Sequence, residues 1–245
     1  MQKILALWAV PRSTSTAFEW MMRQRGDLDC HHEPFGEAWY QGEAPLWPRV
    51  SEDSVRTPGL TLESVAETLF ARAKTHAVFI KDFPHYIDHM WNEDFLSRFT
   101  HSFLIRDPAK TITSMYDKWP DFHPKEVGFA EQRKLFDILT EMNGAPPPVL
   151  DSDDLLEDPH TMVEVWCEAV GIPFLPQALS WEPGARDEVS WWDGGSFHAN
   201  LRNSDGLKPQ KRKYVELDDA PGRVKEIYAL NAPHYQHLYA HRLSG

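Results

Sequence analysis

Three stretches of the chain place anion- or proton-handling side chains directly behind apolar runs. Pro11-Arg12-Ser13-Thr14-Ser15-Thr16 follows Ile4–Val10 and offers a guanidinium with a run of hydroxyls. Lys81-Asp82 follows Val78-Phe79-Ile80, and Arg106-Asp107 follows Phe103-Leu104-Ile105, with Ser114 eight residues beyond Arg106. Guanidinium forks, an ammonium and short hydroxyls are the side chains that grip phosphate-like dianions. Between the first and second stretch lies Cys30-His31-His32-Glu33-Pro34, which brings imidazole and carboxylate, the usual proton carriers at neutral pH.

The elements that must position these groups follow from the pattern. Ile4–Val10 is an apolar run that suits a buried central strand, and Pro11 stops it. Ala17–Met22 reads as the apolar face of a helix. A strand, a tight polar loop and a helix N-terminus make an anion site, because the free N–H groups of the first turn and the helix dipole both favour negative charge. The plainer reading is a capped helix with Ser13 or Thr14 as N-cap. Further strands are expected at Asp29–His32, Ala77–Ile80, His101–Ile105 and Val149-Leu150. Helices are expected after Thr61, near Glu93–Arg98, from Pro108 behind an Asp107 cap, over Phe129–Met142, from Pro159 to Val170, and from Gly222 to Leu243. Residues 34–60, rich in proline and aromatic groups, read as one long ordered loop, and 173–215 as irregular. Alternating strands and helices predict an α/β fold, a P-loop-like doubly wound sheet with central parallel strands and helices on both faces. Ligands in such sheets bind at the carboxyl ends of the strands, so the three polar strand ends should meet in one crevice.

With 245 residues, 42% of them hydrophobic, the chain is long enough for one domain over 1–245. Its formal net charge of −12 argues against general nucleic-acid binding, so an anionic ligand needs a local basic pocket. Cys30 and Cys167 form no disulfide or metal pattern, which points to the cytoplasm. No metal-ligand spacing occurs among the twelve histidines. The N-terminal apolar run is too short to span a membrane and lacks a small-residue cleavage site. Nothing in the sequence sets the oligomeric state.

The loop at 11–16 lacks the glycines and lysine of G-x-x-x-x-G-K-[ST], so it is not a nucleotide-triphosphatase loop. It resembles instead the P-R-S-G-T-T phosphosulfate loop of sulfotransferases that use 3′-phosphoadenosine 5′-phosphosulfate (PAPS), with Thr14 where glycine is usual. Val149–Pro159 is similar to that family's Y-E-D-L-L-x-D-P segment, and Gly171-Ile172-Pro173-Phe174 to its G-[IL]-P-F. The resemblance runs over nearly the whole chain and is carried by the order and spacing of loose motifs.

That resemblance implies roles. Arg12, Ser13, Thr14, Ser15 and Thr16 would hold the 5′ end of PAPS, and Arg106 and Ser114 its 3′-phosphate. Lys81 would neutralise charge on the leaving phosphate. The cytosolic family's histidine after that lysine is replaced by Asp82-Phe83, with His85 off pattern. The pattern fits the protein-tyrosine sulfotransferase branch more closely, where a glutamate after the second strand is the base and Arg12 and Lys81 match the catalytic arginine and lysine. Glu33 holds that place and His32 is its rival. Ser204 and Lys208 approximate the late S-D-x-x-K-P loop, and the basic run 208–213 would close over the nucleotide. Plainer readings stand beside these: Arg106 paired with Asp107, Ser114 bonded to its own helix, Glu33 as a cap or surface ion pair, and 208–213 as a solvated loop.

The activity implied is transfer of a sulfuryl group from PAPS to an acceptor hydroxyl, with an amine as the second choice, and the acceptor is expected to be a small molecule before a protein. The alternatives are a non-catalytic nucleotide-binding protein on the same fold and an ATP-dependent phosphotransferase, which would need the missing loop lysine. Trp39, Trp47, Trp181, Trp191 and Trp192 either line an apolar acceptor pocket or fill core beneath loops.

Overall fold

A computed structural model describes residues 3–184, 199–209 and 215–245. Five strands, β1 (Ile4–Trp8), β2 (Asp29–His32), β3 (Val78–Asp82), β4 (Phe99–Ile105) and β5 (Val149–Asp151), form one sheet in the order β2-β3-β1-β4-β5. Every neighbouring pair is parallel. The helices are α1 (Ser15–Gln24), α2 (Pro34–Gln41), α3 (Leu62–Arg72), α4 (Glu93–Leu96), α5 (Pro108–Lys118), α6 (Phe129–Asn143), α7 (Ser152–Glu157), α8 (Pro159–Val170), α9 (Ala199–Arg202) and α10 (Gly222–Tyr239).

All five residues of β1 and of β3 are buried. Successive strand side chains point to opposite faces, so uninterrupted burial means that helices cover both faces of the sheet. The sequence pattern predicted this, and the caps follow it too. Asp107 accepts from Ala109 N at 2.8 Å to start α5. Thr61 and Ser64 exchange the two bonds of a capping box at α3.

Residues 34–60 depart from expectation. The first third of that stretch is helix α2, not loop. Its N-cap, Glu33, is in the left-handed region at φ 43° and makes no side-chain cap bond. The first-turn N–H of Phe35 is instead satisfied by Asp82 Oδ2 at 2.8 Å, from the end of β3. A cap supplied from another strand leaves no local signature. The chain also leaves α10 at Tyr239 rather than Leu243, and Leu243 N donates to Val149 O at 2.8 Å, alongside β5. α10 lies over α5 and α6.

β1 sits at the centre of the sheet, with β3 on one side and β4 on the other. The carboxyl end of β1 is therefore the point where the winding changes direction, the usual ligand crevice of open α/β sheets.

Candidate functional site

Register fixes which polar groups meet at that crevice. Trp8 pairs with Asp82 and Phe103, and His32 pairs with Lys81, so the ends of β1 to β4 lie level. Gln132 of α6 donates to the carbonyls of both Trp8 and Leu104, at 3.1 and 3.0 Å, closing off the spare acceptors there.

The loop behind β1 is held by its own backbone and by distant elements. Ser13 is fully buried, and its hydroxyl donates to Val10 O at 2.7 Å. Ser152, at the start of α7, donates to the Ser13 carbonyl. Arg106 Nη1 donates to the Arg12 carbonyl at 3.0 Å, and Arg12 Nε donates to Ser114 Oγ at 3.0 Å. The strand-end arginine, the loop arginine and the helix hydroxyl, read from three separate stretches of sequence, thus form one contiguous cluster. Ser15 is buried at the start of α1. The hydroxyl Oγ1 of Thr14 is buried and has no hydrogen-bond partner among the described residues.

Backbone conformation marks the same place. Among the described residues, three other than glycine have positive φ: Arg12 at 66°, Thr14 at 71° and Glu33 at 43°. Thr14 takes up the glycine-like conformation that its position in the turn demands, although a β-branched side chain disfavours it. Strain of this kind persists only where surrounding structure enforces it, and it clusters at functional sites.

Glu33 follows β2 directly, and its N–H donates to Lys81 O at 2.8 Å. Its side chain meets Lys81, whose ammonium is fully buried and bonds to Glu33 Oε1. His32 Nε2 lies 3.8 Å from the same carboxylate oxygen. On its other side, His32 Nδ1 is 2.5 Å from Glu19 Oε2. Glu19 projects from α1 and is completely buried, with Arg23 at 2.8 Å on its Oε1. Burial alone would raise its pKa, but the imidazole of His32, then Lys81 and Arg23, hold it down to about 2. A chain of charged and polar groups therefore runs Arg23–Glu19–His32–Glu33–Lys81. Glu19 was invisible in the sequence, where it is one polar residue inside an apolar helical stretch.

Asp82 is turned away from this chain and accepts from Phe35 N and Phe83 N, at 2.8 Å each. Burial, and then the charge of Glu33, push its pKa well up. His85 lies in an aromatic layer with Trp39, Phe83 and Tyr86. Both its ring nitrogens are buried without a hydrogen-bond partner among the described residues. Burial drives its pKa down to about 3, against the pull of Glu33.

The tryptophans divide. Trp39 packs edge-on to Tyr40 and His85 in the core, and Trp47 lies partly buried against that core. Trp181 is buried and donates to Ser204 Oγ at 3.1 Å. Trp191 and Trp192 lie outside the described residues.

Ser204 donates in turn to Leu201 O at 2.8 Å, and Lys208 pairs with Asp205 at 2.7 Å on an exposed surface. The bonds described for these two residues are local to 181–208 and do not join them to the loop at 11–16. The remainder of the basic run, 210–213, lies outside the described residues. Among the described residues, no group of three or more His, Cys, Asp or Glu is placed to hold a metal ion. No described helix is long and apolar enough to cross a membrane.

A family model for the sulfotransferase domain matches residues 2–219. Two curated proteins of Arabidopsis thaliana, branched-chain-amino-acid aminotransferase-like proteins 2 and 1, are 27% and 25% identical over 85% and 96% of this chain. The chain spans only 37% and 42% of those relatives' own length. Among solved structures, the sulfotransferase domain from the curacin biosynthetic pathway superimposes with a TM-score of 0.54 at 12% identity, covering 95% of this chain and 98% of that one. The sulfotransferase domain from the Synechococcus PCC 7002 olefin synthase gives 0.53 at 15%, covering 95% and 96%. At these identities the structural likeness is one of fold.

Proposed function

Since the chain belongs to the sulfotransferase domain family, we propose that, as one domain, it transfers the sulfuryl group of PAPS to the hydroxyl of a small-molecule acceptor. The observation that carries this reading is the buried Lys81 ammonium set against the Glu33 carboxylate, at the ends of adjacent strands and level with the arginine cluster. The chemistry needs both groups in one place. As the acceptor oxygen attacks sulfur, its proton must go to a base, and Glu33 would take it. As the sulfur–oxygen bond to the phosphate breaks, charge builds on the bridging oxygen, and Lys81 would stabilise it. An ammonium has three N–H donors, so a bond to Glu33 and one to the bridging oxygen are compatible.

The donor nucleotide fits the charges on this side of the molecule. Arg12, Arg106 and Ser114 are contiguous, and a 3′-phosphate is the dianion that guanidinium forks and a hydroxyl would hold. The 5′ end would rest on Ser13, Thr14, Ser15, Thr16 and the first N–H groups of α1. Ser13 gives its hydroxyl hydrogen to Val10, so its contribution is a backbone N–H. The orphan hydroxyl of Thr14 has a donor hydrogen to give. Roles for Ser204 and Lys208 at the nucleotide rest on the sequence pattern alone. Two free thiols, Cys30 and Cys167, suit the cytoplasm as the compartment.

The test is turnover. Radiolabelled PAPS is offered with phenols, aliphatic alcohols and tyrosine peptides, and with ATP as donor in a parallel arm. The expected result is label on a small hydroxyl compound and release of 3′-phosphoadenosine 5′-phosphate. Tight binding of that nucleotide with no transfer to any acceptor would turn the assignment to a non-catalytic nucleotide-binding protein. Transfer from ATP instead would turn it to a phosphotransferase.

A further inference from the structure

The buried carboxylate of Glu19 has no place in the mechanism just given. It lies in α1 immediately behind the loop, is completely buried, and divides its two oxygens between two partners. Oε1 takes Arg23, one turn along its own helix, and Oε2 takes His32 Nδ1. A simple helix ion pair would account for the first contact only. Burying a carboxylate so fully is a poor way to gain stability, because its desolvation cost rivals the attraction it gains. An acceptor-only carboxylate at 2.5 Å also dictates the state of its neighbour, since His32 Nδ1 must carry a hydrogen to bond to it. The neutral ring then has its lone pair on Nε2, the nitrogen facing Glu33 Oε1 at 3.8 Å.

We propose that Glu19, His32 and Glu33 form a carboxylate–imidazole–carboxylate proton relay, in which Glu19 is a positioning residue that fixes the tautomer and aim of His32. This inference rests on Glu33 being the base for sulfuryl transfer. The step balances as follows. The acceptor O–H proton passes to Glu33 while the new oxygen–sulfur bond forms and the sulfur–oxygen bond to the phosphate breaks. The Glu33 carboxyl proton then passes to His32 Nε2, and Glu33 returns to carboxylate. The imidazolium so formed lies between two carboxylates, which stabilise it. At 3.8 Å the second transfer needs only a small rotation of the Glu33 carboxyl, to hydrogen-bond distance.

The other charged groups are consistent with a proton held there. Against burial, His32 first and then Lys81 from β3 and Arg23 from α1 hold the pKa of Glu19 down to about 2. Asp82 at the end of β3 and His85 just beyond it feel the charge of Glu33, and burial favours the neutral form of each. The Cys30 thiol on β2, pushed by burial up to about 12, stays protonated. The arrangement explains why His32 and Glu33 compete for the same role when only the sequence is read: they serve successive steps of one proton's path.

The experiment combines a spectroscopic and a kinetic readout on the intact chain. Long-range ¹H–¹⁵N correlation of histidine-labelled protein, with His32 assigned by His32→Asn, should show the neutral ring of His32 protonated on Nδ1 and bare on Nε2. In Glu19→Gln that fixed tautomer should be lost. The same variant should lower kcat about 10- to 100-fold, the range seen when a supporting carboxylate is removed behind a functional histidine. The KM for PAPS should change less than about twofold, and Glu19→Asp should recover part of the rate. An Nε2–H tautomer in the wild-type protein would overturn the relay. So would wild-type turnover with an unaltered kcat in Glu19→Gln. If Glu19→Gln does not fold, the wild-type tautomer and the Glu19→Asp rate decide. No turnover by the wild-type protein with any acceptor would overturn the sulfuryl-transfer reading, and the relay with it.

Discussion

Arg12 Nε donates to Ser114 Oγ at 3.0 Å, across 102 residues of sequence. The loop behind β1 and the helix behind β4 therefore share one wall, although the family pattern assigns them to opposite ends of the donor. Arg106 completes it by holding the Arg12 carbonyl. Both arginines bring a guanidinium to this wall, one bonded to a hydroxyl and the other to a backbone carbonyl. A dianion laid across them would pair with both charges, which is the physical basis for expecting a 3′-phosphate here.

This cluster should make the protein discriminate between nucleotides. At a hundredfold excess over its Kd, 3′-phosphoadenosine 5′-phosphate should stabilise the fold by about 2.7 kcal/mol. For a chain of this size that is a rise in Tm of roughly 5–10 °C. ADP, lacking the 3′-phosphate, should give a much smaller shift, and Arg106→Ala should remove most of the difference. Equal shifts from the two nucleotides, measured by thermal denaturation, would rule out the assignment.

Glu33 and Lys81 should separate by kinetics. Glu33→Gln keeps the size and shape of the side chain but cannot take a proton, so turnover should fall by roughly 10²–10⁴. Nucleotide affinity should stay near that of the parent. Lys81→Met should also slow the reaction, through lost stabilisation of the leaving oxygen, and should weaken PAPS binding as well. Steady-state rates with a nucleotide titration of each variant check this. Near-normal turnover in Glu33→Gln with an inactive His32→Ala would make His32 itself the base.

What could be read in the sequence and what could not divides along a physical line. The parallel sheet was legible because Ile4–Trp8 and Val78–Asp82 are buried on both faces and so contain almost nothing but apolar residues until their polar ends. The convergence of Arg12, Lys81 and Arg106 followed from topology. Helix α2 was not legible, because Asp82, 47 residues from Phe35, supplies its cap. Glu19 was hidden for a related reason: its partners His32 and Lys81 come from other strands, and a lone polar residue in an apolar stretch gives no sign of what it will face. Ser152, which latches the loop through the Ser13 carbonyl, sits in a segment whose sequence signals only a strand-to-helix junction.

The loop itself offers a test of stored strain. Thr14 holds φ 71° and ψ 5° without a side-chain cap bond. That conformation costs an L-residue about 1–2 kcal/mol, while glycine there would cost about 0.4–1 kcal/mol more in unfolded-chain entropy. Thr14→Gly should therefore leave stability unchanged or raise it by about 0.5–1 kcal/mol, and it also removes a buried hydroxyl that lacks a partner. A loss of more than about 1 kcal/mol in urea unfolding would mean that the threonine side chain supports the loop. A stable Thr14→Gly protein with weakened nucleotide binding would place the hydroxyl on the phosphate.

Stability should fall in mild acid, and two buried histidines set where. His101 accepts from Trp8 Nε1 on Nδ1 and donates from Nε2 to Leu96 O, both at 2.9 Å, which fixes it as a neutral ring. Burial lowers its pKa from 6.5 to about 4, and that of His85 to about 3. Below pH 6.5 the unfolded chain binds a proton at each of these rings and the folded chain does not. The folded state therefore loses stability as pH drops, by at most about 1.4 kcal/mol per pH unit for each ring, until the folded rings themselves titrate. Glu19 acts in the same direction lower down: its folded pKa of about 2 lies below the ordinary 4.5, so its contribution is complete above pH 4.5 and is lost between there and 2. Urea unfolding at pH 7.5, 6.5 and 5 should show a small loss, then one to which the two rings contribute about 3 kcal/mol between pH 6.5 and 5 if both stay neutral, offset in part by buried Asp82, whose raised pKa makes the folded chain hold a proton there that the unfolded chain does not. His85→Phe keeps an aromatic ring beside Trp39 and Tyr86 and removes two buried nitrogens that lack partners. It should fold at least as stably at pH 5 and shed the His85 share of the acid-induced loss, about half of what the two rings contribute. A His85→Phe protein that keeps the whole pH dependence would show that His85 takes up its proton in the folded state.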